Sequence, residues 1–333
     1  MQKTISIIIA IFNRKDELFE LLNSLIAQTD KNFEVIIVDD GSSVDLLPTA
    51  ETFKEMLEIQ YFKKTNSGPG LSRNYGARRA KNDWLVFVDS DVIVEKDYIE
   101  NIKKNLENTD CAAFGGADKA HKGFNILQKA ISYSMTSVFT TGGIRGSKKA
   151  VTRFQPRSFN MGVNKEIFLK IGGFSEMRIG EDPDLSMTIW ENGYQTAFFD
   201  NIGVYHKRRT DLGKFSKQVY QFGCARPILN QRHPNYVKPT FWFPTLFLLG
   251  YVAGILEYFL LHKGFVLACY GIYTFVIFFH ALLLTKNLAI AAQAIITTYI
   301  QMFSYGYGFL ESWVKLNILR MKPEEAFPKH FHK

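Results

Sequence analysis

Residues 84–91 read Trp84-Leu85-Val86-Phe87-Val88-Asp89-Ser90-Asp91, an apolar run that ends in two aspartates. The run predicts a buried strand, and the aspartates then lie at the carboxyl end of that strand. Open α/β sheets bind their ligands at this edge. Two carboxylates so close together repel each other, so their proximity is unfavourable unless they bind a cation or a hydroxyl group. Mg²⁺ is typically held by one or two carboxylates plus substrate phosphates. The stretch therefore predicts a metal-bound phosphate substrate.

The residues on both sides of this run alternate between strand-like and helix-like patterns. Strands are predicted at 5–12, 34–38, 59–62, 84–88, 112–114 and 158–163. Helices are predicted at 16–28, 46–57, 71–81, 98–107, 165–171 and 181–192, and a mobile loop at 141–155. The alternation predicts an α/β domain with a mainly parallel, doubly wound sheet.

The apolar residues of the C-terminal part are concentrated in three long stretches, at 241–262, 264–285 and 288–314. Each is long enough to cross a bilayer core of about 30 Å at about 1.5 Å per residue. Three buried helices of a soluble protein are the alternative, which the scarcity of charged residues disfavours. We therefore expect a catalytic domain at 1–231, a linker at 232–240, transmembrane or interfacial helices at 241–314 and a basic tail at 315–333.

The net charge of +8 is unevenly distributed. Residues 203–239 carry eight Lys or Arg side chains and one acid, directly before the first apolar stretch. Such a band favours the cytoplasmic side and anionic membrane lipids, whereas nucleic-acid binding is disfavoured because the sequence contains no known DNA-binding motif. Residues 1–13 do not resemble a signal peptide, so we expect a multi-pass membrane protein with its first 240 residues in the cytoplasm. Three widely separated cysteines are typical of unpaired thiols in a reducing compartment.

The sequence leaves the number of membrane spans open. Three spans would place the basic tail outside the cytoplasm, against the positive-inside rule. Two spans and one interfacial helix would keep the tail inside. The third stretch is the weakest candidate because it carries several polar residues, namely Gln293, Thr297, Thr298, Gln301 and Ser304.

Acidic residues are predicted at three strand ends or helix starts: Asp39-Asp40, Asp89/Asp91 and Glu181-Asp182. Turn formation and helix capping are the alternative roles for each pair taken singly. The glycine-containing segment 66–70 precedes the predicted helix with Arg73, whose guanidinium can bind phosphate or a carboxylate. No GxGxxG sequence follows the first strand, which disfavours a nicotinamide-dependent enzyme.

Together these segments resemble the family 2 glycosyltransferases, which have the GT-A fold. The resemblance covers roughly residues 4–225, in the order of the family's motifs. It rests on Ser6-Ile7-Ile8-Ile9-Ala10-Ile11-Phe12-Asn13-Arg14, Val38-Asp39-Asp40-Gly41-Ser42, Gly70-Leu71-Ser72-Arg73-Asn74-Tyr75-Gly76, Asp89-Ser90-Asp91, Asn160-Met161-Gly162, Gly172-Gly173-Phe174 and Gly180-Glu181-Asp182.

The resemblance implies a role for each matching residue. Asp40 would hydrogen-bond the nucleotide base and Phe12 would lie against it, while Asp89 would contact the ribose. Asn66, Arg73 and Ser90 would complete the donor site, and Asp91 would bind Mg²⁺ or Mn²⁺ at the diphosphate. Asp182 would be the general base, with Glu181 supporting either Asp182 or the acceptor. The acceptor would lie near Asn160, Gly162 and Gly173.

His206 is a second metal-ligand candidate by resemblance, and its alternative is an ordinary histidine in the basic segment that faces the membrane. Lys207, Arg208 and Arg209 would contact either the leaving diphosphate or, as we favour, the lipid surface. The Q/RxxRW motif of processive family members is absent, which favours the transfer of single sugars.

The expected activity is that of a hexosyltransferase-type enzyme (EC 2.4). It would move a sugar, with inversion, from a UDP- or GDP-sugar to a hydroxyl group of a lipid, lipid-linked or polysaccharide acceptor. A polyprenyl-phosphate sugar synthase is one alternative, and a non-enzymatic membrane scaffold or transport subunit is another. Homo-oligomer formation is left open.

Overall fold

A computed structural model describes residues 3–119, 124–141, 153–206 and 211–332. The chain folds into two units. The first consists of Met1–Lys119, Lys148–Lys207 and Lys329–Lys333, and the second of Ala120–Ser147 and Arg208–Pro328. The last residues of the chain therefore belong to the unit that contains its beginning.

In the described part of the first unit, eight strands form one mixed sheet in the order β3-β2-β1-β4-β7-β6-β8-β5. β1 to β4 are parallel, β7 is antiparallel to β4 and β6, β8 is parallel to β6, and β5 is antiparallel to β8. The strands are β1 (Ile5–Ile11), β2 (Phe33–Asp39), β3 (Glu58–Lys63), β4 (Trp84–Val88), β5 (Val92–Val94), β6 (Ala113–Lys119), β7 (Asn160–Asn164) and β8 (Thr196–His206).

The helices form in segments whose apolar residues have helical spacing. They are α1 (Lys15–Ile26), α2 (Leu47–Glu51), α3 (Pro69–Ala77), α4 (Tyr98–Asn108), α5 (Ile126–Thr136), α6 (Val138–Thr141), α7 (Lys165–Lys170), α8 (Glu181–Glu191), α9 (Leu212–Arg232), α10 (Phe243–Leu261), α11 (Phe265–Thr285), α12 (Leu288–Trp313) and α13 (Pro323–Ala326). Short 3-10 turns occupy Pro234–Tyr236, Pro239–Trp242 and Pro328–His330, and a π-helical turn follows α12 at Val314–Ile318.

The predicted α/β fold with a mainly parallel sheet is confirmed. β1, β2, β3 and β4 are almost completely buried or half-buried, as the apolar runs predicted. The chain passes from β1 to β2 on one side and continues to β4 on the other side of β1. This reversal is the point where open α/β sheets bind ligands.

Several boundaries differ from the sequence-based prediction. The helix predicted at 46–57 is only five residues long because the chain turns repeatedly after Thr52. β5 and the first part of β8 were not predicted, since β5 has only three residues and β8 contains the polar pair Asp200-Asn201. The predicted mobile loop at 141–155 lies largely outside the described residues.

In the second unit, α10, α11 and α12 are long and apolar enough to cross a membrane. Large apolar side chains on α10 and α11 are exposed, for example Leu260 at 73% and Leu283 at 76%. Exposed apolar surface of this extent is typical of contact with lipid. These helices match the three predicted apolar stretches and fit a membrane-associated protein.

Candidate active site

The carboxyl ends of β1 and β2 lie side by side, because Ile11 pairs with Asp39 in parallel register. Asp40 follows β2 and is buried, and its amide donates to the carbonyl of Ile11 at 2.8 Å. Phe12 follows β1 and is 47% exposed. An exposed aromatic ring beside a buried aspartate suits the binding of a flat, hydrogen-bonding group such as a nucleotide base.

The segment 64–68 wraps around Asp40. The Asp40 carboxylate accepts hydrogen bonds from the backbone amides of Ser67 at 2.8 Å and Gly68 at 2.7 Å, and it pairs with the ammonium group of Lys64. The side chain of Asn66 donates to the Asp40 carbonyl at 2.8 Å. Asp40 therefore fixes the shape of the loop before α3, and Asn66 stabilises the same turn.

The two aspartates after β4 each contact an arginine from a different segment. Asp89 Oδ1 accepts a hydrogen bond from Arg73 Nη2 at 2.7 Å, and Asp91 Oδ2 lies 3.2 Å from Arg14 Nη1. Ser90 between them is buried. The aspartates are thus held at the sheet edge that the sequence predicted.

Arg73 connects this pair to the third acidic motif. Its guanidinium is 4% exposed and lies 3.4 Å from Glu181 Oε1 as well as beside Asp89. Burial alone would lower the pKa of Arg73, but the carboxylates of Asp89, Glu181 and Asp182 raise it. A permanently charged guanidinium therefore joins two motifs that are 92 residues apart in sequence, since Asp89 and Glu181 both contact it.

Glu181 and Asp182 open helix α8, directly after Gly180, which adopts a left-handed conformation with φ of 92°. Burial, together with the Asp182 carboxylate, raises the pKa of Glu181 to about 8 despite the attraction of Arg73. Asp182 Oδ1 is buried and has no hydrogen-bond partner among the described residues. Two adjacent carboxyl groups in different environments suit a division of labour in proton transfer.

A metal ion at Asp91 would have few protein ligands. Within the described ranges, no group of three or more His, Cys, Asp or Glu side chains could hold a metal ion. One or two carboxylates fit a hard cation that takes its other ligands from a diphosphate. The backbone of His206 pairs with that of Val92, next to Asp91, while the histidine side chain lies outside the described atoms. Lys207, Arg208 and Arg209 also lie outside the described residues.

The three residues expected near the acceptor have packing contacts. Asn160 accepts a hydrogen bond from the hydroxyl of Tyr98 at 2.7 Å and donates to the carbonyl of Ile202 at 2.8 Å. A Cβ on Gly162 would overlap the ring of Phe114, and one on Gly173 would lie 2.5 Å from Asn74 Oδ1. Their proximity to an acceptor stays a prediction.

Two charged residues of the site were not predicted as site residues. Lys64 ends up beside Asp40 because β3 is the parallel neighbour of β2, so the residue after β3 reaches the same edge. Arg14 reaches Asp91 because β1 lies next to β4. The strand order would have indicated both contacts. Arg14 belongs to the first motif of the family resemblance, but nothing in that motif pairs it with Asp91, and the sequence around Lys64 carries no signal.

Comparison with known proteins identifies the class. Residues 6–171 match the family model for glycosyl transferase family 2. A mannosyltransferase from Pyrobaculum calidifontis, PcManGT, solved with GDP-Man and Mn²⁺, has a similar fold, with a TM-score of 0.57 and 17% sequence identity. The similarity covers 90% of this chain and 86% of PcManGT. The first unit therefore has the GT-A fold of nucleotide-sugar glycosyltransferases.

Relatives with higher identity define the family. An uncharacterized glycosyltransferase of Haemophilus influenzae is 32% identical over 220 residues, which is 62% of this chain and 70% of the relative. Glycosyltransferase YfnE of Bacillus subtilis is 36% identical over 233 residues, 66% of this chain and 57% of YfnE. A Rickettsia felis glycosyltransferase is 40% identical over 103 residues, and that match spans only 17% of its length. The chain belongs to glycosyl transferase family 2.

Proposed function

We propose that this glycosyltransferase moves a single sugar from a nucleoside-diphosphate sugar to a hydroxyl group of a lipid, lipid-linked or polysaccharide acceptor. The reaction would require Mg²⁺ or Mn²⁺ and would invert the anomeric carbon. The observation that carries the proposal is Arg73, whose guanidinium contacts both Asp89 and Glu181. This contact supports a single site in which the phosphate-binding and proton-accepting motifs act on one substrate.

The donor would lie along the carboxyl edge of β1, β2 and β4. Phe12 would pack against the base and Asp40 would hydrogen-bond it, with Asn66 shaping the loop. Asp89 would contact the ribose next to Arg73 and Ser90. A cation held by Asp91, with His206 as a further candidate ligand, would stabilise the negative charge of the leaving diphosphate.

A sugar hydroxyl is a poor nucleophile, so a carboxylate must accept its proton during attack. We assign this role to Asp182, because its buried Oδ1 has no hydrogen-bond partner among the described side chains and backbone groups. Glu181, with its raised pKa, would stay protonated at neutral pH and would limit the negative charge beside Asp182. Attack on the face opposite the leaving group gives inversion.

The exposed apolar helices support an acceptor that resides in or at a membrane. The expected boundaries of the catalytic domain and linker, at residues 231 and 240, stay predictions, as does the cytoplasmic location of the catalytic unit. A polyprenyl-phosphate sugar synthase is the second candidate, because the same apolar helices suit a polyprenyl acceptor. Its acceptor is already an anionic phosphate and needs no general base.

Replacement of Asp182 by Asn separates the two candidates. Transfer from labelled UDP- and GDP-sugars would be measured with Mn²⁺ or Mg²⁺, using alkyl glycosides and membrane lipid extract as hydroxyl acceptors and polyprenyl phosphate as the other acceptor. GDP-mannose with Mn²⁺ is the first donor to test, since PcManGT was solved with that pair. We expect Asp182→Asn to lower transfer to hydroxyl groups by about 10²–10⁴-fold.

The matched control is Asp110→Asn, which removes an exposed carboxylate far from the motifs in sequence. It should keep the wild-type rate. Undiminished transfer to a hydroxyl acceptor by Asp182→Asn would refute the base assignment. Transfer to polyprenyl phosphate alone, unaffected by the substitution, would favour the second candidate.

A further inference from the structure

The C-terminal residues 329–332 pack on the catalytic unit. The amide of Arg178 donates to the carbonyl of His330 at 2.7 Å, and the amide of His332 donates to the carbonyl of Glu176 at 2.9 Å. Met177 and Phe331 form an antiparallel bridge, and Phe331 is buried. The tail is therefore held by backbone hydrogen bonds along the segment that leads into Glu181 and Asp182.

The side chain of His332 lies on the loop that surrounds Asp40. A Cβ placed on Gly68 would overlap the His332 imidazole, so the ring sits directly on the Gly68 backbone. Gly68 has a φ of +87° and donates its amide to Asp40 at 2.7 Å. The imidazole is thus separated from the Asp40 carboxylate by a single backbone segment of the candidate donor site.

His332 has an unused polar atom at this position. Its Nε2 is buried and has no hydrogen-bond partner within the described parts of the chain. A buried polar atom without a partner is energetically unfavourable, so a ligand that supplies the partner is favoured at this position. Burial, reinforced by Arg178 and partly opposed by the Asp40 carboxylate, lowers the pKa of His332. The imidazole is therefore neutral at pH 7, and each ring nitrogen can make one hydrogen bond.

We propose that His332 is a donor-binding residue, which hydrogen-bonds the nucleoside part of the donor through Nε2 beside Asp40 and Gly68. The inference rests on the proposed use of a nucleoside-diphosphate sugar. A neutral imidazole suits the base or the ribose hydroxyl groups, whereas the diphosphate would favour a cation. His332 thereby joins a donor site whose other residues, apart from the candidate metal ligand His206, lie within the first 91 positions.

Two other roles for the tail give different results. If His332 acts only by packing its ring on Gly68, then His332→Phe should bind the nucleotide as tightly as the wild type. If instead the tail covers the site and competes with the donor, then loss of the His332 side chain in His332→Ala should strengthen nucleotide binding. The comparison of His332→Phe, His332→Ala and His332→Gln distinguishes these roles, because only Gln offers a hydrogen-bonding group of similar reach.

The experiment is isothermal titration of UDP and GDP, each with Mn²⁺, into the full-length protein in detergent. We expect His332→Ala and His332→Phe to raise the Kd of the preferred nucleotide roughly tenfold, and His332→Gln to restore part of the loss. The control Lys329→Ala changes an exposed side chain on the same tail and should bind as the wild type. Thermal unfolding of each variant identifies any that fail to fold.

Wild-type affinity in His332→Phe would overturn the proposal in favour of packing, and tighter binding by His332→Ala would overturn it in favour of a covering tail. Absence of nucleotide binding by the wild type and by every variant would overturn the proposed donor class itself. Binding by the wild type with no change in any His332 variant would remove only the role of His332.

Discussion

At Glu181, burial and the neighbouring Asp182 both oppose a second negative charge, and Arg73 offsets them only in part. The pKa of Glu181 is about 8 in the folded protein, against an ordinary value of 4.5. Between these two values the folded state binds more protons than the unfolded state. The free energy of unfolding therefore falls as the pH rises from about 4.5 to about 8.

We expect Glu181→Gln to remove this part of the pH dependence, because the amide does not titrate. Thermal unfolding of the detergent-solubilised protein at pH 5.5 and 7.5 measures it: the loss of Tm on going to pH 7.5 should be smaller in Glu181→Gln than in the wild type. Glu107→Gln, at an exposed position on α4, is the control and should keep the wild-type difference. Equal pH differences in all three proteins would contradict the raised pKa.

Sequence patterns located the acidic residues of the candidate site and Arg73, but not the other charged residues around them. Asp40, Asp89 and Asp91 follow apolar strands, and that local signal is sufficient to place them at one sheet edge. Lys64, Arg14 and His332 contact or approach them from segments whose positions depend on strand order and on the return of the tail. Long-range neighbours of this kind leave no mark on local periodicity.

Helices α9 and α12 approach each other closely at two glycines. A Cβ on Gly223 of α9 would meet the backbone of Tyr305 and Phe309, and one on Gly308 of α12 would meet the backbone of Tyr220 and Cys224. Small residues of this kind let helix backbones come into contact. Hydrogen bonds reinforce the pair, from Tyr220 to Glu311 at 2.7 Å and between Ser216 and Ser304 at 2.9 Å.

We expect Gly308→Ala to force α9 and α12 apart and to destabilise the second unit by about 1–3 kcal/mol, since backbone atoms cannot yield as side chains do. The measurement is the Tm of the purified protein, which should fall by several degrees. Gly271→Ala is the matched control, because a Cβ at this position of α11 meets nothing within 4 Å. A Tm for Gly308→Ala equal to that of Gly271→Ala would show that the helices do not pack as described.

At the level of elements, the sequence predicted long apolar segments better than short or polar ones. The stretches at 264–285 and 288–314 match α11 and α12 almost residue for residue. β8 is not among the predicted strands, because Asp200 and Asn201 interrupt its apolar pattern. It is a strand because β5 and β6 pair with it, a tertiary effect that no local propensity contains.

For the whole molecule, the position of the tail bears on the number of membrane spans. Residues 329–332 form backbone hydrogen bonds with residues 176–178 of the catalytic unit. The tail and the catalytic unit must therefore lie on the same side of a membrane. A chain that leaves this side and returns to it crosses an even number of times, so we expect two of the three apolar helices to span and one not to.

Helix α12 is the one expected to lie at the interface. Of the apolar windows in α10 and α11, 11% is buried inside the protein, against 39% in α12. The buried positions of α12 include polar residues such as Thr297, Thr298 and Gln301. It packs along α9, which carries Lys214, Lys217, Arg226 and Arg232 and is too polar to enter the hydrocarbon. We therefore expect α10 and α11 to form the only spanning pair among the described helices.

Reporter fusions to the full-length chain test this topology. If both ends lie in the cytoplasm, a fluorescent protein should fluoresce equally well at the N-terminus and at the C-terminus. An alkaline phosphatase fused to the C-terminus should then be inactive. A cysteine at Lys263, between α10 and α11, should react with a membrane-impermeant maleimide from outside when Cys269 is replaced by Ser. Active phosphatase at the C-terminus would contradict two spans and indicate three. It would also mean that the contacts of the tail with Gly68 and Glu176 are broken in the membrane-inserted protein.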